Sequence, residues 1–235
     1  MGCPLPIHNR KKVLSWAFYD WANSAFATTV MAGFFPIFFK QYWSAGVDVS
    51  ESSFKLGVAN SIASVIIAIL APFLGAIADQ GGIKRRFLFL FALLGVVMTG
   101  GLFLVAQGQW AMAIFVYVMA TIGFSGSIIF NDAQLVDVTD ESRYHPVSAL
   151  GYSFGYLGGG LLFALNVTMT LKPEWFGLAN AAQAVKVSFL TVALWWAVFS
   201  IPVMLFVKDP PHDKASYAIR KGLRQLIETA AKVKK

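Results

Sequence analysis

Charge is scarce in this chain. Only 13% of its 235 residues are Asp, Glu, Lys or Arg, about half the share that water-soluble domains carry. Too little polar surface is available to cover a soluble particle of this length. Cysteine is nearly absent: Cys3 stands alone and excludes an internal disulfide framework. Histidine occurs at positions 8, 145 and 212 only, all outside the long apolar runs. No metal site and no cofactor are expected. Short alternating segments of about ten residues, the mark of a membrane barrel, are also missing. No removable signal peptide is expected, because the apolar run after the basic start is long and has no small-residue cleavage site. The opening Met1-Gly2-Cys3-Pro4-Leu5-Pro6 lacks the Ser/Thr of a myristoylation signal.

What is abundant is apolar length. Hydrophobic residues make up 57% of the chain, with 21 Phe and 7 Trp. A bilayer core takes roughly 20 apolar residues in a helix. Six runs reach that length, at about 13–39, 54–78, 87–106, 110–131, 147–171 and 187–207. Only helices or closed barrels satisfy their backbone amides inside lipid. The fold class is therefore an all-α membrane protein of six transmembrane helices. The chain divides into a basic N-terminus (1–12), the bundle (13–207) and a linker with a C-terminal helix (208–235). In the last segment Ile219, Leu223, Leu226, Ile227, Ala230 and Val233 share one face opposite six cations, an amphipathic basic helix suited to an anionic leaflet or to packing beneath the bundle. The net charge of +7 is explained by topology rather than by nucleic acid. With both termini inside, 15 of the 19 Lys and Arg lie on the inner side, and only Lys40, Lys55, Lys172 and Lys186 lie outside. By the positive-inside rule, the expected placement is the cytoplasmic membrane with both termini cytoplasmic.

Polar residues inside the spans are few and patterned. Asp20, Ser24 and Thr28 are spaced by four, with Asn23 alongside, which puts them on one stripe of the first helix. A carboxylate at that depth costs about 3 kcal/mol or more. It is either a structural acid satisfied by neighbours, or one that lines a substrate or proton pathway. In the second helix Gly57, Ser61, Ser64, Ala68, Ala71 and Gly75 form a small-residue stripe, and in the fifth Gly151, Gly155 and Gly159 recur every four residues. Both read as helix-packing faces. Pro72 is expected to bend the second helix. The inner connection 132–146 holds Asp132, Asp137, Asp140, Glu141 and Arg143, and reads as a solvated acidic loop pairing with Lys84, Arg85 and Arg86. Exposed pairs of that kind contribute about 0–1 kcal/mol. Gly123-Phe124-Ser125-Gly126 matches the Gly-x-Ser-Gly of rhomboid proteases. Nucleophilic serine chemistry needs a base, and neither a His nor a Lys lies within a span interior, so the chain does not read as an enzyme.

Three stretches carry a family resemblance. Gly75-x-x-x-Asp79-x-x-Gly82-x-Lys84-Arg85-Arg86 resembles the loop signature between the second and third helices of major facilitator transporters. Tyr19-Asp-Trp-Ala-Asn-Ser-Ala-Phe-Ala-Thr28 and Val147-Ser-Ala-Leu-Gly-Tyr-Ser-Phe-Gly-Tyr-Leu-Gly-Gly-Gly160 are similar to the first and fifth helices of the vacuole-effluxer-like branch, named for autophagy-related amino-acid exporters. The resemblance implies a 3+3 repeat half of a major facilitator fold and a secondary transporter that works by alternating access. A small polar solute, an amino acid in the name-bearing members, is moved with or without a proton. Asp79 would be the acid of a cytoplasmic gate motif and Lys84, Arg85 and Arg86 its cations. The family has about twelve helices. Six imply a partner half, supplied by a longer chain, a second copy or another subunit. A membrane scaffold or regulatory half is the alternative reading. The buried arginine of many relatives' fourth helix and the Gly-Pro pair of many antiporters' fifth are not present.

Overall fold

The computed structural model describes residues 7–79 and 82–209. Among them six helices are long and apolar enough to cross a membrane: α1 (Arg10–Trp43), α2 (Val49–Asp79), α3 (Lys84–Leu104), α4 (Trp110–Ala133), α5 (Tyr144–Leu171) and α6 (Ala181–Phe206). No strand occurs among the described residues. The chain is an all-α integral membrane protein. The amphipathic helix expected near the C-terminus lies outside the described residues.

Local chemistry explains where the helices start and turn. Asp48 caps α2 by accepting the Ser50 backbone amide at 2.8 Å. Asn180 accepts the Gln183 amide at 2.9 Å, and Gln183 Oε1 takes the Ala179 amide at 2.7 Å. This pair works much as a capping box does at the head of α6. Gly46, Gly82 and Gly108 turn the chain with φ of 84°, 70° and 80°, a region open to glycine at little cost. α5 begins at Tyr144, three residues earlier than the apolar run suggests. Pro146 falls in its first turn, where no amide partner is lost, so His145 is helical rather than part of a loop. α2 stays helical through Pro72.

α1 is the hub. It packs on α5 and α6, while α4 packs on α2 and α3, and α3 on α6. Its C-terminal half leaves the α register: Phe26–Phe34 and Phe39–Trp43 are π-helical, on either side of a short α segment containing Pro36. Trp16, Tyr19, Phe26, Phe35 and Trp43 of this helix are fully buried. α3 and α4 cross where glycine meets glycine. A Cβ on Gly123 would strike the Gly95 backbone, and one on Gly95 would strike the Trp196 ring. The Gly123–Gly126 run is thus a helix crossing.

Gly57, Ser61, Ser64 and Ala68 do not meet another helix among the described residues. All four are exposed. Open space surrounds Gly57 and Gly75. On another face of α2, Ala59 and Ala63 pack against Val118 of α4. Two small faces share the helix, and spacing alone does not say which one meets a neighbour.

Candidate functional site

The polar stripe of α1 and the glycine stripe of α5 fit each other. A Cβ on Gly151 would meet Asp20 Oδ2, with the Trp16 ring at 2.9 Å. One on Gly155 would lie 2.6 Å from Ser24 Oγ, and one on Gly159 3.0 Å from Thr28 Oγ1. The absent side chains let the two helices approach closely enough for α1's polar groups to lie against the α5 backbone. The Thr28 hydroxyl lies 2.9 Å from the Ser24 carbonyl oxygen and 3.2 Å from that of Gly159. On the next face, Trp21 sits over Gly158 and stacks on Trp195 of α6 at 5.7 Å.

Beside this contact is a cavity of about 320 Å3, at the small end of the range for ligand sites. Asp20, Asn23, Ser24 and Thr28 all line it, together with Phe124 and Asp132 of α4 and Tyr152 and Tyr156 of α5. Asp20 lies ten residues beyond Arg10, about 15 Å along the helix axis. Its carboxylate has no hydrogen-bond or ion-pair partner among the described residues. Asn23 is 3% exposed and its Nδ2 is unpaired. No Lys, Arg or His among the described residues lines the cavity, so none of them neutralises the acid.

Asp132 is the residue that the sequence pattern misplaced. It closes the last turn of α4 and lines the cavity, instead of joining a solvated loop. The signal was available, because Asp132 follows the apolar run directly, but nothing in the sequence set its direction.

The loop signature is assembled differently from the expected cluster of exposed pairs. Lys84 is 5% exposed. Its Nζ donates to Asp137 Oδ2 and to the Ala133 carbonyl, both at 2.8 Å. This ion pair is largely withdrawn from solvent, with the Lys84 side chain 7% and the Asp137 side chain 19% exposed, and the small contribution assigned to exposed pairs does not apply. The Arg85 amide lies 3.0 and 3.2 Å from the two Asp209 carboxylate oxygens, and Arg85 Nη1 donates to the Met204 carbonyl at 3.4 Å. Asp209 thereby caps the first turn of α3 from beyond the end of α6. Burial raises its carboxyl above the usual carboxylate range, partly opposed by the Arg85 amide and guanidinium. Arg86 is exposed. Asp79, the last residue of α2, is exposed and has no partner among the described residues. Gly75 is half-buried, and Gly82 carries the turn.

The family described as "Vacuole effluxer Atg22 like" matches residues 8–53 and 44–235. An uncharacterized MFS-type transporter, YxiO of Bacillus subtilis, is 36% identical over 210 residues, covering 86% of this chain and 49% of that protein. A multi-drug resistance efflux pump PmrA homolog of Lactococcus lactis is 24% identical over 86% of the chain and 47% of its own length. Autophagy-related protein 22 of Coccidioides immitis is 20% identical over 86% of the chain and 49% of its own length. The chain spans about half the length of the curated relatives it matches. No solved structure matches it.

Proposed function

Because the chain belongs to the vacuole effluxer Atg22-like family, we propose that it forms one six-helix half of a secondary active transporter. In this reading the half works by alternating access in the cytoplasmic membrane, with both termini on the cytoplasmic side. The solute is small and polar, an amino acid by analogy with the relatives for which the branch is named, and its path runs along Asp20, Asn23, Ser24 and Thr28. One observation carries the reading. An unpaired carboxylate sits about 15 Å into a spanning helix, in a cavity between α1, α4 and α5, and a glycine face of α5 is cut back to make room for it. A structural acid would be expected to have a partner, since an isolated charge in a span is costly. Here the partner is the solute or a proton.

The second half of the path comes from a further six-helix unit. The exposed faces of α2 and α5 support this, with Val58, Ile62, Val65 and Ile69 on one and Leu157, Leu161 and Leu165 on the other, all open in this chain. The loop signature then acts at the cytoplasmic gate: Lys84–Asp137 fixes the base of α3 against α4, and Asp79 is left free for the opposite half.

Uptake of labelled amino acids into proteoliposomes under an imposed pH gradient tests the assignment. Asp20→Asn is expected to lower uptake at least tenfold and to remove its response to the gradient. Unchanged uptake with an unchanged gradient response would show that Asp20 is structural.

A further inference from the structure

The chemistry of the cavity selects for one kind of solute group. Two carboxylates, Asp20 from α1 and Asp132 from α4, face the same 320 Å3 space. They come from different helices, and neither has an ion-pair or hydrogen-bond partner among the described residues. No Lys, Arg or His among the described residues lines the space, so none of them balances its carboxylates. A donor lies close by. Asn23 is 3% exposed, lines the cavity beside the buried Tyr19, and leaves Nδ2 without a hydrogen bond. A buried amide nitrogen in that state lacks an acceptor. Rings complete the wall: Trp16 and Phe124 on the inner side, Tyr152 and Tyr156 at the open edge. Ring faces attract organic cations and stack on apolar groups.

Resting on the reading of this cavity as a solute path, we propose that this half recognises a protonated organic amine, held between Asp20 and Asp132, with a hydrogen-bond acceptor next to the ammonium that meets Asn23 Nδ2. The amine's N–H groups donate to the two carboxylates. The neighbouring hydroxyl or carbonyl oxygen accepts from the amide. The apolar remainder of the solute lies on the Tyr152 and Tyr156 rings. A carboxylate or phosphate group on the solute must point away from this half, because nothing here neutralises it.

Binding to the purified 235-residue chain in lipid nanodiscs, followed by titration calorimetry, tests this without requiring transport. The probes are phenylalaninol, its uncharged counterpart 3-phenylpropane-1,2-diol, and 2-phenylethylamine, which keeps the ammonium and lacks the acceptor. Phenylalaninol is expected to bind at least tenfold more tightly than the diol, and several-fold more tightly than 2-phenylethylamine. Asp132→Asn is expected to weaken phenylalaninol at least tenfold and leave the diol unchanged, while Asp132→Glu restores most of the loss. Equal binding of amine and diol overturns the proposal, as does no binding of phenylalaninol to folded wild-type chain. An Asp132→Asn variant that is folded by circular dichroism and binds phenylalaninol normally also overturns it. The wild-type comparison needs no variant, so misfolding of a mutant does not blunt the test. Amine preference without flux in proteoliposomes leaves this inference standing and removes the transport reading. Flux of an acidic or neutral solute with no amine preference does the reverse.

Discussion

Gly151 shows how much a single missing methyl group does here. Its absence leaves room for the Asp20 carboxylate and the Trp16 ring. Gly151→Ala is expected to push the carboxylate out of register and to destabilise the chain by about 1–3 kcal/mol, the usual range for overpacking a tight contact. Gly160, on the same helix, has open space where a Cβ would stand. Gly160→Ala should be neutral or stabilising by about 0.5 kcal/mol, from helix propensity alone. Thermal unfolding in detergent separates the two, and equal effects would argue that the α1–α5 contact is looser than described. Asp209 offers a second test at this scale. Its carboxyl is raised by burial. The protonated form is thus favoured by folding, and that contribution is full below the unfolded carboxyl pKa and lost as pH rises through the folded one. Asp209→Asn, which keeps an acceptor for the Arg85 amide without the charge, is expected to match or exceed wild-type stability at pH 7.5 and to flatten the dependence on pH. Asp209→Ala should lose about 1 kcal/mol at pH 5, as other lost helix caps do, and less at pH 7.5.

At the scale of elements, the junction of α3 and α4 depends on Lys84. Removing one partner of a withdrawn ion pair leaves the other desolvated and unpaired, which costs about 3–5 kcal/mol when burial is complete. Asp137 keeps some exposure, 19% against 7% for the Lys84 side chain, so Lys84→Ala should fall near the low end, about 3 kcal/mol. The double change Lys84→Met, Asp137→Leu is expected to recover most of that loss, since an apolar pair of similar volume removes both desolvation terms. Recovery of stability without recovery of uptake would place the pair in the gate rather than in the scaffold. Helix spans were readable to within a few residues, because the length of an apolar run is a one-dimensional quantity. The pairing of elements was not. Asp20-x-x-x-Ser24-x-x-x-Thr28 and Gly151-x-x-x-Gly155-x-x-x-Gly159 were each visible as stripes, but their complementarity exists only once α1 lies on α5. Asp132 and Asp137 are neighbours in sequence and part company in space, one to the cavity and one to Lys84.

On the scale of the whole molecule, the unmatched faces matter most. Gly57, Ser61, Ser64 and Ala68 line an exposed face of α2. A Cβ added at Gly57 meets open space, and the other three are exposed among the described residues. Ser61→Leu with Ser64→Leu is expected to leave the unfolding temperature of the isolated chain within about 2 °C, a surface-type change. The same pair should abolish solute uptake, by blocking close approach of the second half. A marked loss of stability in the isolated chain would mean that the face is already occupied within it.

Composition and run length were enough to establish a membrane protein of six helices, because lipid forces every spanning backbone into self-satisfied helix and length counts the spans. The loop signature and the first and fifth helix stretches were enough to indicate the family, because each is a local string. Contact between stripes had to come from the assembled bundle: which small-residue face is covered and which is left open, whether Lys84 is a surface cation or a withdrawn one, and whether Asp20 stands alone or shares a cavity with Asp132. Those outcomes depend on the rotation of each helix about its own axis, and that rotation is set by the neighbours rather than by the helix's own residues.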